Sequence, residues 1–216
     1  MSARDMAALE QTSLAGLEIE GRSFEHVHEA RLIARLRAAD LYAFEELVAY
    51  FEAPVYSLCY RLLGDAEEAR DAAQETFIKV YKGLKSFRGE SGLKTWIYRI
   101  AINQAMNQQR WWRRRHREQT VSLELSRKDS DQTLGSLLPS RADSPEQAAI
   151  SSEREKCIMR ALMELKTEYR VALILREVEE LSYEEIAQAL MISIGTVKSR
   201  IARGRDDLRR RVRHLI

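Results

Sequence analysis

From Arg31 onward the apolar side chains recur three and four residues apart, the period of one face of an α-helix, and this repeat points to an all-α fold. Asp40 stands where it can cap a helix that presents Phe44, Leu47, Val48 and Phe51. Pro54 suits the first turn of a second helix, with Val55, Leu58, Cys59, Leu62 and Leu63 on one face and Gly64 as its left-handed terminator. Asp65, followed by Glu68, resembles a capping arrangement for a third helix whose face is Ala69, Ala72, Ala73, Phe77, Val80, Tyr81 and Leu84. The loop from Phe87 to Gly92 breaks the period with two glycines. A fourth helix starts near Leu93, turns Trp96, Ile97, Ile100 and Ala101 inward, and ends in an arginine cluster. Only 9 Gly and 3 Pro in 216 residues agree with helix throughout.

Periodicity then stops. Residues 119–152 carry eight serines with Pro139 and Pro145, a composition of linker rather than core. It returns with Ile158, Leu162 and Leu165, then Val171, Ala172, Ile174 and Leu175. The expected organisation is therefore a flexible N-terminal tail (1–30), a helical domain (31–117), an acidic Ser-rich linker (118–152) and a second small helical domain (153–216). The longest apolar run, Val171 to Leu175, is five residues, far below the ~20 that span a bilayer. No secretory signal pattern opens the chain, and two cysteines make no disulfide framework. These features predict a cytoplasmic protein.

The net charge of +2 conceals a segregation. Residues 1–30 carry a net −4, 31–117 a net +6, 118–155 a net −4 and 156–216 a net +4. Arg110, Arg113, Arg114, Arg115 and Arg117 gather beside Trp111 and Trp112, and eight basic residues lie between Thr196 and Ile216. Either cluster alone reads equally well as a solvated helix face. Two of them, at the ends of two domains, favour a polyanion such as nucleic acid.

The sharpest local pattern is a helix-turn-helix. Ser182-Tyr183-Glu184-Glu185 fits a capping box, and the helix it opens presents Ile186, Ala187 and Leu190. After Met191-Ile192-Ser193 a second helix starts, with Ser193 as its cap and Val197 and Ile201 turned inward. Thr196, Lys198, Ser199, Arg200 and Arg203 then point outward near its start, where a major-groove reader needs polar and cationic groups. A plain helical hairpin with a basic face is the blander alternative. Met191 stands where such turns often hold glycine, and a positive φ there costs about 1 kcal/mol.

At this point two segments resemble a known family, the bacterial RNA polymerase sigma factors of the extracytoplasmic-function (group 4) sigma-70 class. DAAQETFIKVYKGLKSFRGESGLKTWIYRIAINQAMNQQRWWRRR is similar to the family's region 2, and LREVEELSYEEIAQALMISIGTVKSRIARGRDDL to its region 4. The resemblance implies a subunit that binds core RNA polymerase, recognises the −35 and −10 elements of promoter DNA and melts the −10 region. It implies that Asp71, Gln74, Glu75 and Phe77 dock on the clamp helices of the β′ subunit, with further contacts to the β subunit. It implies that Phe87, Arg99 and Asn103 serve the −10 element, where the loop from Phe87 to Lys94 helps to capture a flipped base. Base extraction costs a few kcal/mol, which a pocket and stacking must offset; Trp96 is a stacking platform or, preferably, core. Thr196, Lys198, Ser199, Arg200 and Arg203 fall where −35 DNA is read, through base edges or phosphates.

Ala202 stands where relatives carry a bulky group, Lys166 replaces a frequent proline and Glu180 a frequent glycine. The acidic linker either mimics RNA along the polymerase or simply tethers the domains. A dedicated anti-sigma protein, often membrane-bound, is implied as a partner that covers both domains and holds the chain at the inner membrane face. The runner-up reading is a helix-turn-helix regulator that binds duplex operator DNA without polymerase. An enzyme is disfavoured: there is no HExxH, no Gly-rich phosphate loop and no zinc-ligand spacing, so no cofactor, metal or small-molecule substrate is expected. Cys59 and Cys157 read as structural thiols in preference to a redox switch.

Overall fold

The computed structural model describes residues 29–119 and 156–213, with side chains described as far as Trp111 in the first segment. Residues 1–28 of the expected tail, residues 120–152 of the expected linker and the side chains of Arg113 to Arg117 lie outside the described residues, while 29–30 and 118–119, expected in tail and linker, are helical. Helices account for nearly all that is described, and no strand occurs among these residues. The first group comprises α1 (29–37), α2 (Leu41–Leu63), α3 (Ala66–Gly83), a single 3₁₀ turn (Leu84–Ser86) and α4 (Leu93–Gln119). The second comprises α5 (156–164), α6 (Thr167–Glu177), α7 (Tyr183–Leu190) and α8 (Ile194–Arg213).

Local chemistry sets the starts. The Asp40 carboxylate accepts from the Tyr42 and Ala43 amides at 3.0 and 3.4 Å. Asp65 does the same for Glu67 and Glu68, both at 2.9 Å. Each satisfies donors that the first helical turn leaves without partners. Gly64 ends α2 at φ 77°, its amide donating to the Tyr60 carbonyl at 2.8 Å.

Pro54 is a correction. It does not open a second helix but sits inside one continuous helix, Leu41–Leu63. Proline there removes the bond to the Tyr50 carbonyl, ordinarily a loss of about 3 kcal/mol. Tyr50 is exposed, so water reaches that turn, while Phe51, Val55, Leu58 and Leu62 keep an unbroken buried stripe across the proline. Burying several such side chains, at roughly 1.5–3 kcal/mol each, outweighs the missing bond.

Helices α2, α3 and α4 pack on one another, as do α6, α7 and α8. Thr76, which the apolar pattern passes over, is fully buried because its hydroxyl donates to the Ala72 carbonyl at 2.7 Å. Gly204 permits the close crossing of α8 over α6: a Cβ there would stand 3.3 Å from the Tyr169 carbonyl oxygen. The two groups also meet. α4 packs on α7 and α2 on α6, so a single apolar core runs from Leu47 and Ile97 through to Ile174 and Ile186.

Candidate polymerase and nucleic-acid interfaces

On α3, Asp71, Gln74 and Glu75 are all exposed, on the side away from buried Ala69, Ala72 and Ala73. They line a shallow hollow with Gln108 and Trp111 of α4. Phe77 is half-buried and packs against the core, so it supports this face from behind. Ile78, partly exposed, lies four residues beyond Gln74 and extends the stripe with an apolar patch. From the sequence, Ile78 and Gln108 have no assigned role and Trp111 stands only beside the arginine cluster. Helical spacing could have found Ile78; only packing brings α4 alongside. Further toward the helix start, desolvation and then the charges of Asp65 and Asp71 push the Glu68 carboxyl above its ordinary range.

The loop after the 3₁₀ turn places the −10 candidates unequally. The Phe87 ring is buried and meets Trp96 at 4.8 Å between centroids, and its carbonyl accepts from Arg37 at 2.7 Å. In this conformation Phe87 shapes the loop from inside rather than facing solvent. Trp96 is core, as preferred from the sequence, with 8% of its surface exposed. Asn103 is exposed on α4, and Arg99, one turn earlier, is half-exposed with its guanidinium 3.7 Å from the Met191 sulfur. The Tyr98 side chain is buried, and its hydroxyl donates to Glu179 at 2.6 Å. Burial, and next that hydrogen bond, raise the phenol above its usual range. Nothing in the apolar pattern of α4 foretells this, because the covering groups arrive from the second half of the chain.

The helix-turn-helix forms as the spacing predicts. The Glu185 amide donates to the Ser182 hydroxyl at 3.1 Å, and the Ser182 amide to the Glu185 carboxylate at 2.8 Å. Met191 takes the left-handed conformation at φ 55°, and its amide bonds the Ala187 carbonyl. Ser193 caps α8 through the Thr196 amide at 3.2 Å. Val197 and Ile201 are buried against α7 and α6.

Of the five outward candidates, Lys198, Ser199 and Arg203 are exposed. Thr196 is half-buried, with its hydroxyl 2.9 Å from that of Ser193. Arg200 is turned back to Glu168 on α6 at 3.4 Å. It therefore braces α8 on α6. Lys198 lies 5.7 Å from the Tyr183 ring, which steadies the ammonium at the start of α8.

Cys59 is fully buried, and desolvation pushes its thiol up to about 12, so it holds no reactive thiolate near neutral pH. Among the described residues no cluster of His, Cys, Asp or Glu suits a metal ion, and no helix is long and apolar enough to cross a membrane.

Among the described residues, a capped helix-turn-helix joined to a helical bundle is an arrangement shared with DNA-binding transcription proteins. Comparison with known proteins sharpens this. Residues 47–118 match the family described as Sigma-70 region 2, and residues 155–208 match Sigma-70, region 4. The chain is 38% identical over 188 residues to the RNA polymerase sigma-H factor of Pseudomonas aeruginosa, covering 87% of this chain and 95% of that one. It is 35% identical over 183 residues to the ECF RNA polymerase sigma factor SigW of Bacillus subtilis, covering 85% and 96%. Its fold is similar to that of the sigma factor RpoE of Bartonella quintana, solved with the anti-sigma factor NepR. That match has a TM-score of 0.61 at 24% identity and covers 79% of this chain and 96% of the other. The chain belongs to the ECF RNA polymerase sigma factors, subunits that bind core polymerase and direct promoter-specific initiation.

Proposed function

We propose that residues 31–117 form the unit that binds core polymerase and engages the −10 region, and that residues 153–216 form the unit that reads −35 DNA. Residues 118–152 are the tether between them. The observation that carries this division is the pair of separate surfaces on one chain: the Asp71–Gln74–Glu75 stripe on α3, and the outward Lys198, Ser199 and Arg203 on α8. The first suits a protein partner, since exposed carboxylate and amide groups beside Ile78 and Trp111 combine polar and apolar contacts. The second suits DNA, since polar and cationic groups stand on the first turns of a capped helix. Asn103 and Arg99, one turn apart on α4, serve an unstacked base edge and the strand backbone near the −10 element. Phe87 serves that element by shaping the loop.

In this reading the protein has no catalytic activity of its own, takes no cofactor and works in the cytoplasm. A dedicated anti-sigma protein restrains it, as the NepR complex illustrates for the Bartonella relative. The alternative, a regulator that binds operator duplex alone, leaves the α3 stripe without a purpose.

Run-off transcription on a genomic promoter library, with core polymerase with and without this chain, tests the reading. New start sites that share −35 and −10 elements are expected only when both are present. The Gln74→Ala, Glu75→Ala double variant is expected to lose about tenfold or more in affinity for core polymerase, the loss of roughly 1.4 kcal/mol or more. Unchanged binding would remove the docking role of α3.

A further inference from the structure

The inward face of α1 is apolar in the middle and charged at both ends. Leu32, Ile33 and Leu36 pack into the core, with Glu29 one turn before this stripe and Arg37 just after it. Both charged groups reach the same distant loop. The Arg37 guanidinium donates to the Phe87 carbonyl at 2.7 Å, where that loop begins. The Glu29 carboxylate accepts from the Leu93 amide at 2.5 Å, where the loop ends and α4 starts. That amide is one of the donors that a first helical turn leaves without a partner, and Gly92, just before it, has no side chain to cap it. A carboxylate there also meets the positive end of the α4 dipole. The cap of α4 therefore comes from 64 positions away.

Between these two anchors little holds the loop. Phe87, packed on Trp96, fixes its first residue from inside. Arg88, Gly89, Glu90 and Gly92 are exposed. Gly89 takes φ 76°, and among the described residues nothing lies within 4 Å of the place a Cβ would occupy. The Arg88–Glu90 pair, 3.9 Å apart and open to solvent, adds little.

We propose that α1 braces the base-capturing loop, and that Glu29 and Arg37 are positioning residues for discrimination at the −10 element. The inference rests on the −10 role proposed for this loop. The two groups stand eight residues apart, about 12 Å along the helix, so one rigid element ties both ends of the loop. Leu32 and Leu36, buried between them, fix that element on the bundle. Both are charge-assisted bonds to main-chain atoms, so they set the path of the loop whatever base its side chains meet. Drawing a base from the stack costs a few kcal/mol, and a loop already held in its binding shape adds no ordering cost to that. A loop freed at one end samples more shapes and fits a wrong base nearly as well as the right one. Loss of either bond therefore lowers discrimination at the captured base. Contacts with polymerase and with −35 DNA, proposed for α3 and α8, are left as they were.

The test uses the full chain with core polymerase on a genomic promoter library, and reads base preference at each −10 and −35 position from the start sites used. Glu29→Ala and Arg37→Ala are each expected to cut discrimination at one −10 position by about tenfold, with −35 preference unchanged and core affinity within about twofold of the parent. Glu29→Gln and Arg37→Lys keep an acceptor and a donor for the same main-chain atoms and are expected to restore most of that preference, which guards against misfolded alanine variants. Conservative variants as poor as the alanines would overturn the two bonds as the cause. Transcription that falls equally for every −10 base, or a preference that does not change, overturns the brace. Where the brace fails, Asn103→Ala, an exposed change on α4, tells the two readings apart. A −10 preference that relaxes in this variant leaves the −10 reading standing, and one that stays the same removes that reading as well.

Discussion

At Gly204 a single methyl group would tighten an already close helix crossing. A Cβ would meet the Tyr169 carbonyl oxygen at 3.3 Å and the Tyr169 Cβ at 3.4 Å. Gly204→Val is therefore expected to destabilise the protein by about 1–3 kcal/mol, the usual cost of overpacking, and denaturant unfolding measures it. Asp40 acts through charge instead. The Arg35 guanidinium donates to it at 2.8 Å and holds its carboxyl below the ordinary range. A carboxyl with a lowered folded value contributes stability above its unfolded value, and loses that contribution as pH falls through the folded one. Asp40→Asn keeps a capping acceptor but not the charge. It is expected to melt below the parent protein at pH ~7, with the gap closing by pH ~2, well under the reference value of ~3.9. Thermal melts at both ends of this range decide it.

At the scale of an element, α7 has only eight residues, too few to persist as an isolated helix. Its capping box and its packing between α4 and α8 hold it. Ser182→Ala removes the acceptor for the Glu185 amide and is expected to cost about 1 kcal/mol by denaturant unfolding. This cap was legible in the sequence, as were Asp40, Asp65, Gly64 and Ser193, because each motif needs only residues three or four apart. So was the left-handed Met191. Glu180 likewise takes a left-handed conformation, φ 56°, which favours glycine. Pro54 was misleading for the same reason. A local rule reports the lost hydrogen bond but not the stripe of Phe51, Val55, Leu58 and Leu62 that holds the helix together across it.

For the whole molecule, a net charge of +2 understates how strongly DNA binding should respond to salt, since the cations are gathered and the anions lie elsewhere. Duplex binding is expected to weaken steeply with ionic strength. If Lys198 and Arg203 each neutralise a phosphate, Lys198→Ala and Arg203→Ala should each lower the slope of log affinity against log salt by about 1. Anisotropy titrations across a salt series measure this; an unchanged slope would assign those residues to base edges or to no contact.

The sequence by itself determined the helical periodicity, the helix caps, the helix-turn-helix and the polar stripe on α3, though not the continuity of α2 across Pro54. All of these arise from neighbours within one or two turns, whose geometry the chain carries wherever it goes. Only the tertiary structure decided that Phe87 turns inward onto Trp96, that Arg200 spends its charge on Glu168, and that Tyr98 and Glu179 meet across 81 positions of sequence. Those outcomes depend on which distant surface removes water from each group, and no local period encodes that.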